Sequence, residues 1–342
     1  MKKILVTGAG GYIGIPLCET LIHKGYHVVG LDRYYFGREI VAPVAENNNF
    51  TMLVDDIRYF DLSILKDVNA VIDLAGLSND ASAEIDPNLT KAINTNGAIR
   101  VIEAAKAAGI RRYIYASSAS VYGHGETSDL NEKSNCFPQT QYAISKQDVE
   151  NVLLEKAGPD FEVVILRNAT VFGLAPRMRL DLAVNIMTYR AWKERTIYVM
   201  GGGNQWRPFV HVNDVVAAMI LSLEAPSEKV AGEIFNVGSS DMNYQIKHIA
   251  QLVLDAVPDT KVHMIPDDDD QRTYNLNFDK IHNVLGFKRS YNIEDGIDEI
   301  KKALARGDLD GDDPTCYTLQ WYKSLIEWSE RINTLALNGD IL

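Results

Sequence analysis

Cysteine is scarce. The 342-residue chain has three, Cys18, Cys136 and Cys316, widely spaced and without a Cys-x-x-Cys pair. That excludes a disulfide framework and the usual zinc-ligand spacings. Cys18 falls on an expected buried helix and reads as a small core residue. Long apolar runs are missing too. No stretch reaches the roughly 18 residues that a membrane-spanning helix needs. Ile4-Leu5-Val6, after Met1-Lys2-Lys3, is too short and too soon followed by glycine to be a secretory leader. The expectation is a soluble, cytoplasmic protein with no membrane partner. Positive charge is in deficit: 34 Lys and Arg stand against 46 Asp and Glu, a net charge of −12. This argues against a nucleic-acid partner, because a phosphate backbone attracts a basic surface. A few local arginines can still hold a small anion. There is no internal repeat, and the charge run Asp267–Asp270 reads as a solvated loop.

What is present is a regular alternation. Short apolar runs at Ile4–Thr7, Val28–Leu31, Thr51–Val54, Ala70–Leu74, Tyr113–Ala116 and Val163–Leu166 read as buried parallel strands. Helical patterns lie between them: Tyr12–Lys24 closed by Gly25, Asn88–Ala108 closed by Gly109, and Gln139–Lys156 closed by Gly158. The prediction is an α/β chain with a Rossmann-type doubly wound parallel sheet. After about Arg167 the rhythm changes. A helix lies within Arg177–Arg195, Val210–Glu224 looks like a return to the first unit, and helices follow near Gln245–Ala256, Phe278–Leu285, Ile293–Ala305 and Tyr317–Ile332. The expected division is a dinucleotide-binding domain at 1–168 with a return segment at about 209–234. Segments 169–208 and 235–342 would form a smaller mixed α/β C-terminal substrate domain.

Thr7-Gly8-Ala9-Gly10-Gly11-Tyr12-Ile13-Gly14 follows the first strand and opens the first helix. Gly8 permits a tight turn, Gly11 lets a pyrophosphate approach the backbone, and Gly14 allows close helix–strand packing. The helix start presents N–H groups and a positive dipole end to phosphate. Gly8, Gly11, Tyr12, Ile13 and Gly14 are therefore candidate cofactor-binding residues. Asp32 ends the second strand, where a carboxylate accepts hydrogen bonds from ribose hydroxyls and repels a 2′-phosphate. It favours NAD over NADP as the cofactor.

Ser118 ends the fifth strand in Ser117-Ser118-Ala119-Ser120-Val121-Tyr122-Gly123, and Tyr142-Ala143-Ile144-Ser145-Lys146 lies on the helix after it. Tyr142 and Lys146 are one turn apart and share a helix face. Oxidising a secondary alcohol requires removing a hydroxyl proton together with hydride. A phenol with an ordinary pKa near 10 serves as that base only if a neighbouring cation lowers it. Lys146 and a positively charged nicotinamide are suited to do so, while Ser118 aligns the hydroxyl.

The glycine spacing and the Ser, Tyr-x-x-x-Lys set resemble the extended short-chain dehydrogenase/reductases, and within them the NAD-dependent nucleotide-sugar epimerase/dehydratase family. The resemblance implies that Asp56-Ile57 contacts the adenine and Leu74-Ala75-Gly76 lies beside its ribose. It also implies that Asn94 helps to position the active site. Leu166-Arg167-Asn168-Ala169-Thr170-Val171-Phe172-Gly173 is similar to a family segment that has Asn where Thr170 stands. Arg207, in Arg207-Pro208-Phe209-Val210-His211-Val212-Asn213-Asp214, and Arg272 resemble the family's two diphosphate arginines. Such arginines bind phosphate bidentately. Ser120, Thr170 and Asn185 complete the candidate substrate-binding set with Ser118. The implied partner is a nucleotide-diphosphate sugar, and the implied assembly is a homodimer through the helices carrying Asn94 and Tyr142.

The same comparison disfavours some chemistry. The family's 4,6-dehydratases carry Asp and Glu after the catalytic Ser or Thr, where this chain has Ala119 and Ser120. Its proton-exchanging epimerases carry Cys, and its decarboxylases Glu, at the position of Ser120. Hydride chemistry remains: 4-epimerisation through a transient 4-keto sugar, or a net 4-dehydrogenase or 4-ketoreductase step. A non-catalytic NAD-sensing protein is the more distant alternative.

Overall fold

The computed structural model describes residues 1–124, 129–266 and 272–337; the acidic run Asp267–Asp270 lies outside them. Strand β1 (Lys3–Thr7) leads through the glycine loop into α1 (Gly14–His23), then β2 (His27–Asp32), β3 (Phe50–Val54) and β4 (Val68–Asp73). Helix α2 (Ala98–Ala107), β5 (Arg112–Ser118), α3 (Gln141–Lys156) and β6 (Glu162–Asn168) follow. These strands are parallel in the order β3-β2-β1-β4-β5-β6.

The apolar runs are buried on both faces, as parallel strands between helices must be. Side chains alternate between two cores. Ile4 and Val6 face one, with α1 residues such as Ile15 and Leu21. Leu5, Val71 and Tyr113 face the other, with Val101 and Ile102 of α2 and Val149 of α3. Cys18 is fully buried in the first core. The strand order reverses between β1 and β4, the place where such folds leave a crevice at the carboxyl ends of the strands.

The remainder forms β7 (Thr170–Phe172), α4 (Ala183–Glu194), β8 (Thr196–Met200) and β9 (Trp206–His211), followed by α5 (Val212–Glu224), β10 (Glu233–Val237) and β11 (Asn243–Gln245). Then come α6 (Ile246–Ala256), β12 (Lys261–Ile265), α7 (Asp279–Leu285), α8 (Ile293–Arg306) and α9 (Thr318–Leu335). β10 adds to β6 as a parallel strand, so the return to the main sheet runs on to Val237. Helix α5 packs beneath that sheet through Val215, Val216 and Met219. β9 pairs instead with β7 and β11, and β8 with β12. These small sheets share a core with α4, α6 and α8 that includes Phe172, Ile197, Ile249 and Ile297.

One helix end and one helix interior differ from expectation. Gly25 and Gly109 take left-handed conformations, as capping glycines do. Gly158 does not; α3 stops at Lys156 with Ala157 extended, and Gly158 exchanges backbone hydrogen bonds with Phe161. The pattern read as one helix over Asn88–Ala108 contains a π-helical stretch, Lys91–Gly97, before α2. Such widened turns redirect a side chain, and here Asn94 sits inside one.

Candidate active site

The carboxyl ends of β1, β2, β4, β5 and β6 open into one cleft, closed on the other side by the loop after β7, by β9 and by residues 272–274. Gly8, Gly11, Tyr12, Ile13, Gly14, Asp32, Asp56, Ile57, Leu74, Ala75 and Gly76 line it. Ser118, Ser120, Tyr142 and Lys146 line it as well, with Thr170, Arg207 and Arg272. Asn94 and Asn185 stand behind the wall.

The glycine loop shows why its residues are small. Gly8 has φ +70°, and a Cβ there would lie 2.9 Å from the Ala75 nitrogen. A Cβ on Gly14 would overlap the Gly8 carbonyl oxygen. Thr7 Oγ1 accepts from the Leu74 and Ala75 N–H groups, each at 3.2 Å, which ties the loop after β4 to the end of β1. Asp32 accepts from the backbone N–H of Gly10 at 3.0 Å and of Tyr34 at 2.7 Å. Burial pushes its carboxyl up, and those N–H groups oppose the shift. A bare backbone cradle at a helix start, with a carboxylate at the end of the next strand, fits the diphosphate and ribose of NAD. Asp56 is less available than the sequence suggests. Burial works to raise its pKa, but the hydrogen bonds and charge of Arg58, with the charge of Arg33, hold it below the usual range.

The buried Asn94 is a brace. Its Oδ1 accepts from Leu77 N at 2.7 Å, and its Nδ2 donates to Leu77 O at 3.1 Å and Ser145 Oγ at 3.4 Å. The π turn thereby fixes the loop after β4 to the helix that carries Tyr142. Asn185 does the same elsewhere: its Oδ1 accepts from Gly173 N, and its Nδ2 donates to Tyr12 Oη and Arg179 O.

Ser118 caps the turn Ala119–Tyr122. Its Oγ accepts from Ser120 N at 3.2 Å and Ser120 Oγ at 3.0 Å, leaving its own proton to donate. Tyr142 is half-buried, and desolvation pushes its phenol up to about 12; the Asp80 charge adds to the rise, while Arg179 and Ser118 lower it. Lys146 Nζ donates to the Ala116 carbonyl at 2.7 Å and lies 5.7 Å from the centroid of the Tyr142 ring. Desolvation lowers Lys146 to about 8, against the pull of Asp73 and Glu150. Hydroxyl donor, phenol and ammonium are therefore together at the carboxyl end of β5. This arrangement can hold a sugar hydroxyl and exchange its proton.

On the opposite wall, Arg207 Nη1 donates to the Trp206 and Arg272 carbonyls, and its guanidinium lies over the Tyr274 ring. Arg272 Nη2 donates to Asp80 Oδ2 at 2.8 Å. Two carboxylates in the cleft are already engaged: Asp80 by Arg272 and Thr140, and Asp181 by Arg179 and Asn79. Arg167, within the segment containing Thr170, lies in a buried network with Glu150 and Tyr122, below the cleft.

Sequence reasoning missed Arg177, Arg179 and Asp181 on the loop after β7, and Tyr322 on α9, all of which line the cleft. The closely spaced Arg177 and Arg179, just beyond Gly173, were a local signal. Tyr322 had none, since only tertiary packing carries α9 to the cleft.

The family model of the NAD dependent epimerase/dehydratase family matches residues 4–238. The UDP-glucose 4-epimerase of Mycolicibacterium smegmatis is 29% identical over 303 residues, which are 86% of this chain and 96% of that one. The dTDP-D-glucose 4,6-dehydratase of Mus musculus is 27% identical over 319 residues, 86% of each chain. Among solved structures, MoeE5 in complex with UDP-glucuronic acid and NAD aligns at a TM-score of 0.78 and 25% identity, covering 89% of this chain and 99% of that one. The matched span holds the glycine loop, the seven-stranded sheet and the Ser118, Tyr142 and Lys146 cluster, and the chain belongs to the NAD dependent epimerase/dehydratase family as an NAD-dependent enzyme.

Proposed function

We propose that the enzyme catalyses 4-epimerisation of a nucleotide-diphosphate sugar through a transient 4-keto intermediate. The observation that carries this reading is the cluster of Ser118, Tyr142 and Lys146 beside a turn whose next residues, Ala119 and Ser120, hold no acid or thiol. Elimination of water needs an acid and a base placed for it, and the nearby Asp80 and Asp181 are bound by arginines. Relatives that are epimerases and a relative that is a 4,6-dehydratase both match this chain, and the residues beside Ser118 support the first activity.

The glycine loop and Asp32 would hold NAD, which when bound would supply a hydride acceptor and donor for C4. Ser118 donates to the C4 oxygen and aligns it. Tyr142 takes the hydroxyl proton and gives it back to the C4 oxygen, once the keto sugar has turned in the site so that hydride returns to its other face. Lys146 stabilises the phenolate. Arg207 and Arg272 hold the diphosphate while the sugar turns. In the same reading, residues 1–168 with the return near 209–234 hold NAD. Segments 169–208 and 235–342 hold the nucleotide sugar, and two chains associate through α2 and α3, where Ile144 and Leu154 are exposed.

A C4-deuterated nucleotide sugar tests the reaction. Epimerisation returns the deuterium to C4 of the new epimer. Deuterium accumulating in free NADH would mean net dehydrogenation, and deuterium appearing at C6 would mean dehydration; either overturns the proposal.

A further inference from the structure

Helix α9 lies beyond the family match, yet its first turns reach the cleft. Trp321 Nε1 donates to the Tyr35 carbonyl at 2.7 Å. The Tyr322 ring packs on Phe36 at 5.5 Å between centroids and meets Tyr35 edge-on at 6.2 Å. Both aromatic residues belong to the segment directly after Asp32.

Arg177 joins this cluster from the loop after β7. Its guanidinium lies 3.6 Å from the centroid of Phe36, and Nη2 donates to Thr318 Oγ1 at 2.8 Å. The side chain is buried, and its Nε has no hydrogen-bond partner among the described residues. No carboxylate among them contacts it; Asp181 and Asp32 act on it only at longer range. Desolvation and the neighbouring Arg179 push it down to about 10. A buried cation without a counter-ion is unfavourable until an anion arrives. Arg207 and Arg272 sit among a different set of neighbours, Tyr274 and Asp80. Arg177 instead sits against Phe36, within charge range of Asp32 and Tyr322, and lines the cleft together with the glycine loop.

We propose that Arg177 binds the diphosphate of NAD and that Tyr322 covers its adenosine side, so that cofactor retention and docking of the C-terminal helix are coupled. The loop after β7 and α9 together then form a strap over a cofactor otherwise held by the main sheet. The inference depends on NAD occupying the glycine loop, and is independent of which sugar reacts.

Calorimetric titration of NAD and ADP-ribose into the apo full-length chain tests it. The substitutions are Arg177→Gln, Arg177→Lys and Tyr322→Ala, and thermal melts confirm that each variant is folded. The expected result is a Kd for both ligands raised about ten- to a hundredfold by Arg177→Gln, the scale of losing one charge-assisted pair. Arg177→Lys should recover part of that loss, and Tyr322→Ala should weaken both ligands. Whichever of UDP, GDP, CDP and dTDP binds the wild type most tightly should keep its affinity in all three variants. Hydrogen exchange supplies the second readout: NAD should slow exchange in residues 318–326 of the wild type, and not in Arg177→Gln. Wild-type NAD affinity in a folded Arg177→Gln variant, or a loss confined to the nucleoside diphosphate, would overturn the proposal.

Discussion

In the proposed mechanism Tyr142 is the base, and by itself it is a poor one. Burial pushes it up to about 12, while Lys146, which stabilises its anion, falls to about 8. The signs combine simply. The phenolate fraction grows as pH rises toward the tyrosine value, and the ammonium charge is lost as pH rises through about 8. The turnover rate is therefore expected to climb on the acid side and to stop climbing near pH 8. In Lys146→Met it should be lower throughout and should lack that break. Rate measurements over pH 6–10 check this, and a wild-type profile that climbs unbroken through pH 8 would contradict it. Tyr142→Phe should lose about 10²–10⁴-fold in kcat, the usual worth of a positioned acid–base group, with NAD affinity retained. Tyr142 and Lys146 were legible in the sequence because one helical turn separates them. The source of the opposing shifts was not, since desolvation depends on what packs over them.

At the level of elements, the glycine loop and the π turn do the positioning. Gly14→Ala forces a Cβ into the Gly8 carbonyl, so we expect a lower melting temperature together with weakened NAD binding, measured by thermal melts and titration. A variant that melted and bound as the wild type would show that the loop has room the structure denies it. Arg207→Ala should raise KM about tenfold or more with a smaller change in kcat, because it removes a charge-assisted contact made before and after hydride transfer. Steady-state kinetics separate the two constants, and an unchanged KM would remove Arg207 from substrate binding. The strands of the main sheet were legible as short apolar runs between helical patterns, because parallel strands buried on both faces admit little else. The π turn was not, since Asn94 leaves the α-helical pattern only to meet Leu77 and Ser145, both distant in sequence. Gly158 misled for a related reason: a glycine near a helix end signals a cap only if the chain turns left-handed there, and here it enters a bridge with Phe161.

For the whole molecule, the main sheet and the loops at its carboxyl end build the cleft's floor, and the loop after β7, β9, residues 272–274 and α9 close it. That division explains what could be read in advance. Local motifs announce a dinucleotide cradle, a Tyr–Lys pair and the arginines at 207 and 272, whereas Arg177 and Tyr322 reach the opposite wall only through tertiary packing. Light scattering should give about twice the 38.1 kDa chain mass if α2 and α3 form the expected interface. Ile144→Asp on α3 should shift that value toward one chain; a wild-type monomer would refute the interface. The central claim is the epimerase reading, and one measurement tests it most directly. The purified enzyme is incubated with NAD and a panel of UDP-, GDP-, CDP- and dTDP-sugars while sugar NMR and the absorbance of reduced cofactor are followed together. The predicted result is a C4 epimer of one sugar, reached from either side, with no accumulation of NADH. A keto sugar accumulating in step with NADH would contradict it.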